Sequence, residues 1–390
     1  MTSDTRKQRI ADRLSAVELE LVALSTELHE HPELGWEEHR SSAAVAAALR
    51  AHGFTVEQPY LGLDTALRAR LEPRGSTRFT VGFLAEYDAL PGLGHACGHN
   101  LIAAMSVGAA LSLAAVAEEI GIAIEVIGTP AEEGGGGKIV LLERGAFSHL
   151  DLALMAHPAP VDVAEARPFA VTHWHVQYDG RAAHAAAYPE RGVNANDALL
   201  IAQVALGLLR QQLPAGVRVH GVQTRGGEAP NAIPERTEAR WYVRAETTEQ
   251  LLALEARVRA CFAAGALATG AELTITPESE RYAEMRTDEE VLEHYRENMR
   301  ALGRSFDADP ASATMNRAST DMGNVSQIVP AIHPYIGVGG DASNHQPAFA
   351  AACVGERAER ALRDGAVALA WTALDTAIAR ATSGPHNRPA

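Results

Sequence analysis

The chain has 390 residues, of which 47% are hydrophobic, and its formal net charge at pH 7 is −15. A chain of this length exceeds what one hydrophobic core normally serves, so two domains are expected. The negative charge argues against nucleic acid and anionic membrane surfaces as partners, because both are polyanions that would repel the protein.

The opening segment and the cysteines bear on where the protein works. Residues 1–7 are polar and lead into no apolar core, so no signal peptide is expected. No apolar run is expected to approach the ~18 residues that a membrane-spanning helix needs. The three cysteines, Cys97, Cys261 and Cys353, are scattered and odd in number. This distribution is typical of a reducing compartment without a disulfide framework, and it favours the cytoplasm.

Apolar periodicity predicts alternating helices and strands over the first part of the chain. Helical spacing runs from Arg9 to Leu28, and a second helix is expected over 37–51. Short apolar runs predict strands, and one long apolar segment predicts a buried helix; the strands are 54–56, 65–69, 79–84, 122–127 and 150–155, and the helix is 101–116. Residues 74–76 are expected to form a hairpin turn. The alternation predicts an α/β fold with a mostly parallel sheet flanked by helices.

The pattern changes near residue 169. From there to residue 280, the order strand, helix, strand, strand, helix, strand predicts an inserted α+β domain. Residues 1–168 and 281–390 would then form the first domain together. The elements expected in its second part are helices over 289–302 and 356–379, a helix start at 319–321 and a strand over 331–338. The paired strands of the insert leave a sheet edge that a second copy of the chain could cover.

Cys97 and His99 lie two residues apart in a Gly-rich turn that follows a predicted strand. A thiolate and an imidazole are both good ligands for a borderline-soft divalent metal. Taken alone, such a pair more often marks a buried cysteine beside a hydrogen-bonded histidine at a helix start. Its interpretation therefore depends on what the rest of the chain supplies.

Other ligand-capable side chains follow later strands. Glu132 and Glu133 precede four glycines, His157 follows the next strand, and His345 follows a strand and a Gly-rich turn. The spacing does not match a phosphate-binding loop. Adjacent carboxylates suit a cation, with one as ligand and the other as a base, although an exposed acidic turn is the alternative. Because parallel strands end at one edge of a sheet, these groups are expected to converge.

On these motifs the chain resembles the two-metal amidohydrolase and peptidase family of aminoacylase, carboxypeptidase G and hippurate hydrolase. The resemblance extends from His31-Pro32-Glu33-Leu34 through the closing helix. The His-x-Cys-Gly-His form is similar to the branch with a cysteine ligand. Asn100 and residues 319–326 resemble the subgroup of aminobenzoyl-glutamate hydrolase and β-alanyl-lysine-type dipeptidase. Hippurate and auxin-conjugate hydrolases carry Asp in place of Asn100, so their substrates are not transferred to this chain.

The resemblance implies a role for each of a small set of residues. The implied ligands of two divalent ions, zinc or manganese with cobalt as a further candidate, are Cys97, His99, Glu133, His157 and His345. Glu132 would be the general base, and Asp88 would lie behind the metal site. In the insert, His184 and Asn231 would reach the scissile group, with His184 contributed across a homodimer. Arg244, Arg181 and Arg240 are candidates to hold a substrate carboxylate, although solvated or structural arginines fit equally well.

The predicted reaction is hydrolysis of an amide bond in a small N-acyl amino acid or dipeptide, by a metal-activated water with Glu132 as base. One alternative keeps the scaffold and changes the target to a ureido or amidine carbon. Another is a non-catalytic binding protein with a structural metal site. Closed structural zinc sites use four sulfur or nitrogen ligands, so the adjacent glutamates argue against that alternative.

Overall fold

The protein consists of two structural units, one of which is inserted into the other. The structure is a computed structural model that describes residues 2–306 and 318–383. Unit 1 comprises Met1–Arg167 and Met285–Ala390, and unit 2 comprises Pro168–Glu284. The insert boundaries expected from the sequence, 169 and 280, differ from these by one and four residues.

The helices and strands are numbered in chain order over the described residues. The helices are α1 (Ser3–Glu30), α2 (His39–Ala51), α3 (His99–Ile120), α4 (Gly137–Glu143), α5 (Ala195–Arg210), α6 (Thr248–Thr269), α7 (Glu289–Ala301), α8 (Met322–Ser326), α9 (Pro347–Ala352) and α10 (Glu356–Ser383). The strands are β1 (Thr55–Glu57), β2 (Leu67–Leu71), β3 (Phe79–Glu86), β4 (Ile122–Thr129), β5 (Leu152–Leu154), β6 (His157–Ala159), β7 (Ala170–Asp179), β8 (Arg218–Arg225), β9 (Arg236–Ala245), β10 (Glu272–Pro277), β11 (Ala331–Ile332) and β12 (Tyr335–Gly337).

Unit 1 is built on a six-stranded sheet with the order β1-β2-β4-β3-β5-β11. Strand β3 runs parallel to β4 and β5, and β5 runs parallel to β11. Strands β3 and β4 are buried along their whole length, which explains why each is a continuous apolar run. The α/β fold with a mostly parallel sheet is therefore confirmed.

The hairpin expected at residues 74–76 is wrong. Strand β2 pairs antiparallel with β4, and β4 lies between β2 and β3 in the sheet. Turn residues report the local bend of the chain but not which strands pair, so the sequence could not show that β4 separates the two.

The single strand expected over 331–338 is also wrong, because two short strands occupy this segment. The chain leaves β11 at His333-Pro334, where proline has no N–H for a sheet ladder. It then forms β12, which pairs in parallel with β6 in a separate two-stranded sheet. The His157 N–H donates to the carbonyl oxygen of Pro334 at 2.9 Å. These breaks place His157 and His333 where the chain passes from the large sheet to the small one.

Helix α3 is the central helix of unit 1 and packs against α1 and α10. A side chain at Gly108 would meet Leu21 at 2.8 Å and Ala366 at 3.0 Å, so the three helices approach closely there. By length and composition alone, α3 could cross a membrane, which corrects the expectation that no run reaches spanning length. In this structure, 89% of the apolar 18-residue stretch of α3 is buried inside the protein, as in a core helix.

Unit 2 has the order β-α-β-β-α-β and a four-stranded antiparallel sheet with the order β10-β7-β9-β8. Its own core includes Trp174, Trp241 and Phe262. Within the described residues of unit 2, β8 lies at one edge of the sheet.

Candidate metal centre

The carboxyl ends of the parallel strands of unit 1 supply the candidate site. Strand β3 leads to Asp88 and the turn of Cys97, β4 leads to Glu132 and Glu133, and β5 leads to His157. Because β3 is parallel to β4 and to β5, these segments leave the sheet at the same edge.

Two groups of ligand atoms share Cys97. One consists of Cys97, His99 and His157, and the other of Cys97, Glu133 and His345; within each group all ligand atoms lie within 4.8 Å of one another. The Cys97 Sγ lies 3.5 Å from the Nε2 atoms of His157 and His345. The His345 Nε2 lies 3.4 Å from Glu133 Oε1. The structure thus brings together all five ligands implied by the resemblance.

Two histidine rings are oriented by the hydrogen bonds of their other nitrogens. His99 Nδ1 donates to Asp88 Oδ1 at 3.0 Å, and His157 Nδ1 donates to the Pro158 carbonyl oxygen at 2.8 Å. Both rings therefore present Nε2 to the cluster, the pattern usual for metal-binding histidines. The other Asp88 oxygen accepts the backbone N–H of Glu133 at 2.9 Å. Asp88 thus lies behind two of the ligands, the position that the family resemblance implies.

The buried polar atoms fit a cation. His99 Nε2 and Glu133 Oε1 are buried and have no hydrogen-bond partner among the described residues. Burial, followed by the charge of Glu133, raises the pKa of the Cys97 thiol well above its usual range. A divalent cation would satisfy these atoms and stabilise the thiolate, so the residues present fit a two-metal centre.

Glu132 and Glu133 are adjacent in sequence but differ in position. Glu133 belongs to a Cys97 group, whereas Glu132 belongs to neither, and its Oε2 lies 3.9 Å from His99 Nε2. Burial and then the charges of Glu86 and Glu133 raise the pKa of Glu132 well above its usual range. A buried carboxyl that favours its protonated form, beside the ligands, suits a proton-transfer group.

The glycines after these glutamates allow a tight turn. A side chain at Gly137 would lie 1.8 Å from the Pro130 carbonyl oxygen, and one at Gly135 would lie 2.6 Å from Ala131 Cβ. Ala131 itself has a φ of +54°, and its N–H donates to Glu38 Oε1 at 2.8 Å. Gly135 and Gly137 are therefore required for close packing in this turn.

Sequence reasoning missed a buried ion cluster beside the site. The Lys138 ammonium contacts Glu86 and also donates to Asp321 Oδ1 at 2.7 Å, and all three side chains are fully buried. The Lys138 N–H donates to the second Asp321 oxygen at 2.8 Å. The signal available in the sequence was a lysine at the start of a helix whose next four residues are apolar.

The two insert residues assigned to the scissile group lie next to each other in unit 2. The Ala185 N–H donates to the Asn231 carbonyl oxygen at 2.9 Å, and His184 forms a β-bridge with Ala232. His184 Nδ1 accepts the N–H of Ala187 at 3.1 Å. In the neutral ring the proton is then on Nε2, which leaves an exposed donor.

The candidate arginines differ in their surroundings. Arg240 forms an ion pair with Glu278 at 2.6 Å, and Arg181 donates to a backbone carbonyl oxygen. Arg244 donates to His220 at 3.3 Å. It lies eight residues beyond Arg236, the start of β9, which corresponds to about 27 Å along the strand, and Asn231 precedes that start. Within unit 2 the structure therefore does not bring Arg244 to His184 and Asn231.

Known proteins share this architecture. Residues 82–370 match Peptidase family M20/M25/M40. The chain is 43% identical to the Xaa-Arg dipeptidase of Mus musculus and 39% identical to that of Homo sapiens, in each case over 95% of this chain and 88% of the relative. A Bacillus subtilis structure described as a dinuclear metal binding peptidase from M20 family superposes with a TM-score of 0.70, at 21% identity over 94% of this chain and 99% of that one. The aminobenzoyl-glutamate utilization protein of Klebsiella pneumoniae gives a TM-score of 0.71 at 21% identity, over 93% and 98% of the two chains. At such identities the structures establish the fold.

Proposed function

The chain belongs to peptidase family M20/M25/M40, and from this premise we propose that it is a two-metal dipeptidase acting on dipeptides that end in arginine. Membership confirms the family resemblance, and the chain is a hydrolase of amide bonds in small molecules. The proposal adds the terminal arginine, zinc or manganese as the ions, a homodimer and a cytoplasmic location.

The observation that carries the proposal is the sharing of Cys97 by two ligand groups, with Glu132 beside them and outside both. Structural zinc sites are closed by four sulfur or nitrogen ligands, whereas this site contains the Glu133 carboxylate and a second buried carboxyl group, that of Glu132, beside it. Two cations held by the five ligands would polarise the scissile carbonyl and lower the pKa of the attacking water.

The remaining chemistry is assigned to side chains. Glu132 takes the proton of the attacking water and returns it to the leaving amine. Asp88 holds His99 and the Glu133 backbone in position. His184 Nε2 and the Asn231 amide would donate to the oxygen that becomes negative, each contributing about 3–4 kcal/mol to the transition state.

The substrate preference rests on the relatives and on charge. The two curated relatives above are both named Xaa-Arg dipeptidase. The net charge of −15 gives the protein a negative field, which attracts a cationic side chain and repels acidic dipeptides.

The homodimer is supported by an apolar strip on unit 2. Leu200, Val204 and Leu208 are spaced four residues apart on α5 and are 56%, 58% and 70% exposed. Arg210 of α5 donates to the Val219 carbonyl oxygen, so this helix flanks the edge strand β8. Large apolar side chains in such a row mark a binding surface, and a second copy joined through β8 would cover both strip and edge.

The dimer also accounts for the distance between candidate substrate groups. A dipeptide spans about 7 Å, whereas Arg244 lies about 27 Å along β9 from Arg236, and Asn231 comes before that strand begins. If both contact one substrate, they belong to different protomers.

The first experiment is metal analysis of the purified protein, paired with amine release from dipeptides that share an N-terminal residue and end in Arg, Lys, Ala or Glu. About two ions per chain and fastest metal-dependent release from the arginine substrate are expected. The Glu132→Gln variant is the control, since it should retain both ions and lose turnover. One tightly held ion and no amide turnover would favour a structural site, and ammonia release from a ureido substrate would favour the alternative reaction.

A further inference from the structure

Glu86 ends strand β3 and faces the candidate metal centre from the interior of unit 1. Its Oε1 is in contact with Lys138, but its Oε2 is buried and has no hydrogen-bond partner among the described residues. That second oxygen lies 3.4 Å from His99 Nε2, which is itself buried without a hydrogen-bond partner in the same part of the structure.

The geometry of Glu86 matches that of the assigned ligands. Its separation of 3.4 Å from His99 Nε2 equals the separation between Glu133 Oε1 and His345 Nε2. Glu86, His99 and Glu132 also form a third group whose ligand atoms all lie within 4.8 Å of one another. His99 thus belongs to one Cys97 group and to the Glu86 group, and it connects the two.

We propose that Glu86 Oε2 is an additional ligand of the ion that His99 binds, positioned by the Lys138–Asp321 pair. The inference rests on the two-metal centre proposed above. Carboxylate oxygen is an ordinary ligand of zinc and manganese, and the bond would satisfy a buried oxygen that otherwise lacks a partner.

Lys138 and Asp321 explain how a carboxylate can be presented in this way. Lys138 occupies Oε1 of Glu86, and Asp321 holds Lys138 through both its ammonium and its backbone N–H. This fixes the Glu86 rotamer and leaves Oε2 as the oxygen that faces His99. Hydrogen-bonded partners of metal ligands commonly act in this way, by orienting the ligand.

The test compares Glu86→Gln with a matched control, Glu125→Gln. Glu125 is also fully buried in the same sheet and paired with cations, Arg68 and Arg70, but it belongs to none of the three ligand groups. Both variants remove a buried carboxylate charge, and only Glu86→Gln removes a proposed ligand.

Chelator-treated protein is titrated with Mn²⁺ alone by calorimetry. We expect wild type and Glu125→Gln to bind two ions alike, and Glu86→Gln to bind one of the two more than about 100-fold more weakly, beyond the ~10–100-fold loss usual for a residue that only supports a ligand. A smaller loss in Glu86→Gln would overturn the proposal, because it would place Glu86 behind the ligands and not among them. If the wild type itself fails to bind two ions, the proposed function fails first, so the two failures are distinguishable.

A second variant tests the same proposal in case Glu86→Gln folds poorly. Glu86→Gln combined with Lys138→Met and Asp321→Asn removes all three charges of the buried cluster, so no charged partner is left uncompensated there. The weakened affinity for one ion should persist in this triple variant. Recovery of wild-type affinity would show that Glu86 serves only to neutralise Lys138.

Discussion

At the scale of single residues, neighbours in sequence have different chemical roles because their backbones are held differently. The Glu133 N–H is bound by Asp88, and its carboxylate joins a Cys97 group. Glu132 follows Ala131, whose left-handed backbone is held by Glu38, and its carboxylate remains outside both Cys97 groups. From the sequence we could propose that one of the two glutamates is a ligand and the other a base. The backbone hydrogen bonds support Glu133 as the ligand and Glu132 as the base.

Glu38 gives a pH-dependent prediction. Burial, followed by the charge of Asp88, raises the pKa of Glu38 to about 7 from 4.5. Between these values the native carboxyl keeps a proton that the unfolded chain has released, so the free energy of unfolding falls as pH rises. Gln keeps an oxygen for the Ala131 N–H and cannot ionise. Glu38→Gln should therefore be about 1–3 kcal/mol more stable than wild type at pH 8, and similar to it near pH 4.5.

Urea unfolding of the chelator-treated proteins at pH 5, 6, 7 and 8 measures this difference. Glu37→Gln is the matched control, because Glu37 is the exposed neighbour of Glu38. A stability difference between Glu38→Gln and wild type that does not grow with pH would contradict the assigned ionisation.

At the scale of elements, the turn before α3 sets the positions of two ligands. Gly98 caps α3 with a φ of +79°, and Cys97 and His99 flank it. A side chain there would lie 2.9 Å from Pro158 and 3.1 Å from Cys353 Sγ. The turn therefore needs glycine for its backbone conformation and also for close packing against the segment that carries His157.

Gly98→Ala violates both requirements, the left-handed backbone and the close packing, whereas an ordinary helix-capping glycine needs the backbone conformation alone. We expect it to lose about 3 kcal/mol or more of stability, from the left-handed backbone and from overpacking together, and to lose metal. Gly53→Ala is the matched control, since Gly53 has a φ of +85° with nothing within 4 Å of an added side chain. It should lose only about 1–2 kcal/mol and keep its metal.

Thermal unfolding and elemental analysis of both variants provide the measurement. Equal losses of stability in the two variants, with metal content unchanged, would mean that the contact with Pro158 does not position the ligands.

At the scale of the whole molecule, the proposed dimer makes turnover depend on the apolar strip of α5, because the strip holds the two protomers together. If His184 acts on the substrate of a second protomer, a monomer keeps its metals and loses an oxyanion donor. Oligomeric state and turnover should then change together while metal content does not.

Val204→Glu tests this link by placing a charge in the middle of the strip. We expect a monomer that retains its metals and has kcat lowered by at least about 100-fold, the usual cost of one lost donor, because His184 and the adjacent Asn231 would be lost together. Leu267→Glu is the control, because Leu267 is 88% exposed on α6 and lies outside the strip. Light scattering after gel filtration gives the mass, and a dimeric or fully active Val204→Glu would contradict the proposal.

The amino-acid sequence was enough to predict the parallel sheet of unit 1 and the strand and helix order of the insert. Apolar periodicity predicts each strand from neighbouring residues, and parallel strands end at the same edge of a sheet, so the residues that follow them are expected to form one site. Cys97, the Glu132–Glu133 pair and His157 could therefore be expected to lie together before any contact was known, and the family resemblance implied the set of five ligands.

Which strands are neighbours and how the site is supported became known from the three-dimensional structure. Strand β4 lies between β2 and β3, and the Lys138 ion cluster joins residues 52 and 183 positions away along the chain. Such contacts leave no periodic signal, since a buried lysine and an exposed lysine are the same letter in a sequence. The contacts of the ion cluster form because charges lose their water in the folded interior. Every buried ion there requires a partner that the fold must supply.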